Sequence, residues 1–197
     1  VTVVFSGEGA DELSGSYRYF DAAPSHAASR DESRRLVRDL QFYDVLRCDK
    51  SVSGSGLEAR TPFLDMRFVD FYMRLPPEMK SNEVIEKQLL RETFEPFKLL
   101  PESVLMRKKE AFSDGCSSME KPWFKIIQDY VDTLISDDEF VVQSRSFSPN
   151  KPRSKEELWY REIFERHFPQ RSNVIPYIWR PRWSSELDPS ARLLPTT

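Results

Sequence analysis

The stretch VTVVFSGEGADE, residues 1–12, decides the fold, because a run of β-branched and aromatic residues ends in a glycine turn that carries carboxylates. Five consecutive strand formers without polar alternation predict a strand buried on both faces, as parallel strands of α/β sheets are. Ligands of such sheets bind beyond the carboxyl ends of the strands, where glycines let the backbone approach and the next helix offers N–H groups. The pattern therefore predicts strand, loop and helix, with Ser6 and Gly7 placed to touch a ligand.

Three carboxylates, Glu8, Asp11 and Glu12, lie in this loop or just after it. Beside a phosphate they would repel it, so either a cation lies between them or they face another part of the ligand. Mg²⁺ is the natural cation, since it binds a few carboxylates together with phosphate oxygens. The alternative is structural, because acids in a first helical turn interact favourably with the helix dipole. The local pattern leaves both interpretations open.

Composition argues against several classes of function. The 197 residues are 39% hydrophobic, enough for one core, and the net charge of −3 offers no footprint for nucleic acid or an anionic membrane. No apolar run has the length of a membrane span and nothing resembles a signal peptide, so we expect a cytosolic protein. Cys48 and Cys116 lack metal-ligand spacing, and His26 and His167 are the only histidines. We therefore expect no disulfide, no zinc site and no Ser-His-Asp triad.

The first strand has few candidate neighbours. The only other strand candidate is weak, residues 140–143, although a parallel strand needs partners at its edges. The chain also begins directly in this strand, without an initiator methionine. We expect a fragment whose other strands lie upstream.

Most of the chain has helical patterns. Spacing and capping signals predict helices over residues 13–23, from Ser29 to about residue 47, and over residues 66–75, 83–94, 101–106, 122–136 and 155–168. Asp65 should cap the third of these, and Ser154 with Glu157 should form a capping box for the last. Residues 51–56 should be a flexible loop, and residues 169–197 an irregular tail anchored by its tryptophans. The prediction is one strand and about seven helices in a single domain, residues 1–197.

Two charged stretches have alternative interpretations. Glu58 and Arg60 either form a structural ion pair or line a ligand site. Arg107, Lys108 and Lys109 precede a loop rich in turn residues, which would suit an anionic ligand, but such runs are usually solvated surface.

Six motifs in order along the chain resemble those of glutamine-hydrolysing asparagine synthetases. They are SGEGADE (6–12), GLEARTPFLD (56–65), IEKQLLR (85–91), RKKEAFSDG (107–115), YREIF (160–164) and DPSAR (188–192). The resemblance spans nearly the whole chain and is closest to the animal enzymes. It implies an α/β parent fold, adenine nucleotide alpha-hydrolase-like and of the ATP-pyrophosphatase type. This chain would be its mostly helical C-terminal part, with one central parallel strand at the N-terminus.

The resemblance also implies a ligase reaction. ATP and Mg²⁺ would adenylate aspartate, and ammonia from glutamine would displace AMP to give asparagine, with pyrophosphate as the other product. The partners it implies are aspartate, ATP, ammonia and the glutaminase domain of the same parent chain, with a homodimer as an open question. As the composition already indicates, we expect no nucleic acid and no membrane among the partners.

The site residues that the resemblance implies fall into three groups. Ser6, Gly7 and Gly9 would contact ATP. Glu8 would serve in forming the β-aspartyl-adenylate, and Asp11 would lie near substrate and metal. Lys109 would neutralise charge developing on the phosphates, with Arg107 assisting, and a fixed cation in that role contributes roughly 3–4 kcal/mol.

The sequence departs from the family's pattern in two places. Ser16 stands where the family usually has glycine before the tyrosine. The pyrophosphate loop SGGxDS and the glutaminase domain are absent, and neither Cys48 nor Cys116 can replace the glutaminase cysteine. We therefore expect the chain alone to be inactive. A stand-alone, non-catalytic binding or interaction module is the alternative, whereas another ligase on the same scaffold, such as a β-lactam-forming synthetase, is disfavoured by the later motifs.

Overall fold

A computed structural model describes residues 2–80, 84–109 and 121–184 of the chain. The chain divides into two compact units. The first unit comprises residues 1–108 and 180–197, and the second comprises residues 109–179.

A two-stranded parallel sheet lies in the first unit. Strand β1, Val3–Phe5, pairs with strand β2, Glu58–Arg60, in the register Val3 to Glu58 and Phe5 to Arg60. The ladder continues past both ends, since Glu58 N donates to Thr2 O at 2.9 Å and Ser6 N donates to Arg60 O at 2.8 Å. The strand before the glycine turn was predicted correctly. β2 was not predicted, because three residues with two charges carry no hydrophobic alternation.

The prediction that β1 is buried on both faces is wrong. Its three side chains are exposed, from 36% for Val3 to 76% for Phe5. In the described part of the chain β1 pairs with β2 alone, and two strands of three residues present too little surface for helices to cover.

Six α-helices belong to the described part of the first unit. They are α1 (Ala10–Ser14), α2 (His26–Asp39), α3 (Asp44–Gly54), α4 (Met66–Arg74), α5 (Gln88–Phe94) and α6 (Glu102–Leu105). Short 3-10 segments connect them at Arg18–Ala22, Leu40–Phe42, Pro62–Leu64, Pro77–Lys80 and Glu95–Phe97.

Several helix boundaries differ from the predictions. The helix predicted over residues 13–23 is two elements, because Gly15 adopts a left-handed conformation with φ of 60° and ends α1. Ser25, not Ser29, caps α2, and its hydroxyl accepts from Ala28 N at 3.2 Å. Residues 51–54 are the last turn of α3 rather than a loop. α5 begins only at Gln88, and residue 83 of that prediction lies outside the described residues.

Other local predictions are confirmed. The Asp65 carboxylate accepts from Arg67 N at 2.9 Å and Phe68 N at 3.3 Å, and so caps α4. Of the two interpretations of Glu58 and Arg60, the structure shows the ion pair, with Arg60 Nη2 and Glu58 Oε1 2.7 Å apart.

The core of the first unit is built around a buried carboxylate. Tyr19 and Leu13 are almost fully buried, and the Tyr19 hydroxyl donates to Glu32 Oε1 at 2.9 Å. Glu32 is fully buried and also binds Arg35 at 2.5 Å and Arg182 at 3.0 Å. The Trp183 ring packs on Tyr19 and Phe20, as expected for a tryptophan that anchors the tail.

The second unit has three α-helices in its described part: α7 (Trp123–Leu134), α8 (Asp137–Gln143) and α9 (Lys155–His167). Its core consists of Val131, Ile135 and Leu158, with further apolar side chains around them. The strand predicted over residues 140–143 is wrong. These residues are helical because Ser136 and Glu139 form a capping box that starts α8.

The predicted capping box at the start of α9 is half formed. The Ser154 hydroxyl accepts from Glu157 N at 3.2 Å, but the Glu157 carboxylate accepts from Arg153 N at 2.7 Å instead of returning to Ser154. Among the helices in the described ranges, none combines the length and the apolar character needed to cross a membrane.

Candidate functional site

The loop of residues 6–9 lies beyond the carboxyl ends of both parallel strands. Ser6 N extends the ladder to β2, and Gly9 packs against the segment that follows β2. Gly9 has φ of 91°, and a Cβ added there would lie 2.3 Å from Leu64 Cδ2. Only glycine meets both the left-handed conformation and the close approach. The first two sequence motifs therefore meet in one place, as a ligand site of an α/β sheet requires.

The loop is accessible on one side. Gly7 is exposed, and no described atom lies within 4 Å of the position that a Cβ would take there. Ser6 is half-buried. The backbone at Gly7 can therefore be approached closely by a ligand.

Glu8 lies in a field of mixed charges. Its side chain is mostly buried, and Arg47 Nη2 lies 3.9 Å from Glu8 Oε1 and 2.5 Å from Asp44 Oδ1. Burial raises the pKa of Glu8 above its ordinary value, the charge of Asp44 raises it further, and Arg47 opposes them. Arg47 thus connects the loop carboxylate to α3.

Asp11 is held by two donors. Its Oδ1 accepts from Lys87 Nζ at 2.5 Å and from Ser16 Oγ at 2.6 Å. The side chains of Asp11 and Lys87 are 27% and 21% exposed, so the ion pair is partly shielded from water. Ser16 is buried and contributes a hydroxyl to the network.

Glu12 belongs to the protein interior rather than to an open site. It is 3% exposed and accepts a hydrogen bond from the Tyr17 hydroxyl. Burial raises the pKa of Glu12 from 4.5 to about 7, although the hydrogen bond from Tyr17 acts in the opposite direction. Burial and then the nearby Glu12 charge likewise raise the pKa of Tyr17. Of the three loop carboxylates, Glu8 and Asp11 remain as groups that a ligand can reach.

Mg²⁺ fits these donors only together with a phosphate. Among the described residues no group of three or more His, Cys, Asp or Glu side chains is arranged to hold a metal ion. Mg²⁺ commonly takes one or two carboxylates and completes its shell with substrate phosphates and water. Asp11 and Glu8 have carboxylate oxygens that suit this role. Lys87 already balances the single negative charge of Asp11.

The structure says less about where the cations of the fourth motif lie relative to the loop of residues 6–9. Arg107 is exposed in the first unit, while Lys109 is the first residue of the second unit, so its location at the phosphates stays a prediction. Residues 110–115 of that motif lie outside the described residues. Lys108 and Glu86 line a cavity of about 320 Å³ in the first unit, next to Ser16 and Tyr17.

Two residues of this network, Lys87 and Arg47, were not predicted as site residues. Arg47 occurs at helical spacing, which indicates a helix face, and its partner Asp44 three residues earlier explains it locally. Lys87 has a φ of 60°, which is uncommon for a residue other than glycine. No sequence pattern predicts this conformation. Its meeting with Asp11 depends on tertiary folding.

The comparisons with known proteins agree on one family. The family model described as Asparagine synthase matches residues 23–193. The chain is similar to proteins named asparagine synthetase (glutamine-hydrolysing) from Cricetulus griseus (50% identical), Bos taurus (49%) and Mus musculus (50%), each over 193 residues. Each match covers 98% of this chain and 34% of the relative. The chain thus spans about a third of the length of the curated relatives it matches.

Proposed function

Because the chain belongs to the asparagine synthase family, we propose that the whole protein carrying it converts aspartate to asparagine with ATP and glutamine-derived ammonia. AMP and pyrophosphate are the other products. The activity is assigned to the whole protein, since the relatives that carry the name are about three times as long as this chain.

One observation carries the proposal. The loop of residues 6–9 and the segment after β2 meet at Gly9 and Leu64, beyond the carboxyl ends of two parallel strands. That location is where open α/β sheets bind ligands. It supports a nucleotide site formed by Ser6, Gly7 and Gly9, and an α/β parent fold of the ATP-pyrophosphatase type.

The carboxylates of the loop limit what can bind beside them. Glu8 and Asp11 would repel the phosphates of ATP, so they suit either a cation bound to those phosphates or the ammonium group of aspartate. Mg²⁺, when bound with ATP, would neutralise phosphate charge beside Asp11 and Glu8. Lys87 and Ser16 hold Asp11 in one orientation by hydrogen bonds, whereas Arg47, 3.9 Å from Glu8, attracts Glu8 only electrostatically.

The reaction has two steps with balanced leaving groups. A side-chain carboxylate oxygen of aspartate attacks the α-phosphorus of ATP, the bond from that phosphorus to the bridging oxygen breaks, and pyrophosphate leaves. Ammonia then attacks the activated acyl carbon, AMP leaves, and the nitrogen loses a proton. Lys109, assisted by Arg107, would stabilise the charge that develops on the phosphates in the first step.

For activity, this chain would need the glutaminase domain and the pyrophosphate loop that the resemblance implies for the same parent chain. We therefore propose that the isolated chain does not synthesise asparagine.

Product analysis of the whole protein tests the proposal. Incubation with ATP, Mg²⁺, aspartate and ammonium chloride should yield asparagine, AMP and pyrophosphate in equal amounts, and glutamine should replace ammonium as the nitrogen source. Formation of ADP and phosphate instead would assign a different ligase chemistry. Binding of ATP without any turnover would favour a non-catalytic binding module.

A further inference from the structure

A second cavity of the first unit lies apart from the carboxylate loop. It measures about 530 Å³ and lies at the N-terminal end of α2, between α1 and the Pro77–Lys80 segment. We call it the α2 cavity. Its volume falls in the range of pockets that hold small molecules, about 300–1,000 Å³. Ser6, Glu8, Asp11, Arg47 and Lys87 are not among its lining residues, so it is separate from the site proposed for ATP and aspartate.

Among the described residues that line it, the α2 cavity has two cations, Arg30 and Lys80, and one carboxylate, Asp21. Arg30 Nε is shielded from solvent and has no hydrogen-bond partner among the described residues, while the Arg30 side chain as a whole is 38% exposed. Arg30 forms an ion pair with Asp31, but Asp31 Oδ1 lies 3.7 Å from Nε, beyond hydrogen-bond distance. A buried guanidinium nitrogen without a partner is costly unless a ligand supplies an acceptor.

The charge of Lys80 in the same cavity is poorly compensated by its neighbours. Its ammonium lies 3.5 Å from Tyr72 O and 5.7 Å from the centre of the Tyr72 ring. Burial lowers the pKa of Lys80, and the charges of Arg34 and Arg30 lower it further. An anion between Arg30 and Lys80 would relieve both the burial and the repulsion.

The rest of the cavity wall is partly polar and partly apolar. Hydroxyl groups come from Ser25, Ser29 and Ser33, and apolar surface comes from Leu13, Phe20 and Pro77. Hydroxyls and paired cations suit the several acceptor oxygens of a phosphate, and the apolar surface suits an organic group attached to it.

We propose that the α2 cavity binds a small organic phosphate, with the phosphate between Arg30 and Lys80 and the organic group against Leu13, Phe20 and Pro77. The site is independent of the proposed synthetase chemistry, and its test does not depend on activity.

Calorimetric titration of the whole protein with phenyl phosphate tests this site, with benzoate and benzyl alcohol as probes that lack the phosphate. Phenyl phosphate should bind at least about tenfold more tightly than benzoate, and benzyl alcohol should not bind measurably. Arg30→Gln and Lys80→Gln should each weaken phenyl phosphate binding by about tenfold or more, since each removes a charged donor.

Arg74→Gln is the matched control, because Arg74 is an exposed arginine paired with Asp70 on α4 and does not line the cavity. It should leave phenyl phosphate binding unchanged, and circular dichroism should show that all three variants keep the fold. The proposal is overturned if phenyl phosphate does not bind at millimolar concentration, if benzoate binds equally well, or if Arg74→Gln weakens binding as much as Arg30→Gln.

Discussion

Lys87 Nζ lies 2.5 Å from Asp11 Oδ1, although the two residues are 76 positions apart in the sequence. The pair joins α1, directly after the glycine loop, to the start of α5. It is also partly shielded from water, so it is stronger than a typical surface pair.

Replacing Lys87 should therefore disturb Asp11 more than it disturbs the fold. Lys87→Met leaves the Asp11 carboxylate without its charged partner, and we expect aspartate-dependent ATP–pyrophosphate exchange by the whole protein to fall about tenfold or more, as for a lost charged hydrogen bond. Lys98→Met is a suitable control, because Lys98 also adopts a left-handed conformation but is exposed. Equal exchange rates in the two variants would show that Lys87 does not position Asp11.

Glu32 should contribute strongly to stability. Its buried carboxylate binds Tyr19, Arg35 and Arg182, and Glu32→Gln would remove the charge that both guanidinium groups face. We expect a loss of about 3 kcal/mol in the free energy of unfolding, measured by urea denaturation. Glu78→Gln, at an exposed position, should change it by no more than about 0.5 kcal/mol. Similar losses in both variants would contradict a structural role of the buried network.

Glu12 should make stability depend on pH. Because the pKa of Glu12 in the folded protein is about 7 and its ordinary value is 4.5, the folded state holds this proton more tightly. The resulting stabilisation is complete below pH 4.5 and is lost as the pH rises through 7. It amounts to about 3 kcal/mol.

A comparison with Glu12→Gln isolates this effect from Glu8, whose pKa is also raised. Glutamine stays neutral, so the stability of the variant relative to the wild type should increase by about 3 kcal/mol from pH 4.5 to pH 8. Urea denaturation at a series of pH values provides the measurement. Parallel stability profiles for the two proteins would show that Glu12 does not carry the dependence.

Lys109 and Lys108 provide a test of register in the fourth motif. If Lys109 faces the phosphates, Lys109→Ala should reduce turnover of the whole protein by roughly 10²–10³-fold, the usual effect of losing one preorganised charge. Lys108→Ala should have a small effect, although Lys108 lines the smaller cavity. Steady-state kinetics with saturating ATP and aspartate distinguish them, and equal losses would mean that the register is wrong.

Local signals predicted those parts of the fold that depend on neighbouring residues. Asp65 caps α4 and the apolar spacing of residues 122–136 gives α7, because both depend on contacts within a few positions. The run of residues 1–5 contains β1 because its β-branched and aromatic residues favour a strand by themselves. The loop of residues 6–9 lies beyond β1 as its glycines indicated.

Long-range pairing was beyond those signals. β2 exists because it pairs with β1, and its own residues, Glu58–Arg60, have no strand pattern. Residues 140–142 are aromatic or β-branched, but the capping box at Ser136 starts a helix that includes them. The partner of Asp11 was missed for the same reason, since nothing near Lys87 in sequence indicates a carboxylate 76 positions away.

In the proposed reaction the carboxylates beyond β1 serve in activating aspartate, and a substitution of Glu8 tests this role. Glu8→Gln keeps the size of the side chain and removes its charge. In the whole protein, we expect the variant to lose aspartate-dependent ATP–pyrophosphate exchange by at least about a hundredfold while glutamine hydrolysis continues unchanged. Glu102→Gln, at an exposed position, should keep full exchange. Exchange by Glu8→Gln at the unmutated rate would contradict the account and leave Glu8 with only a structural role in the turn.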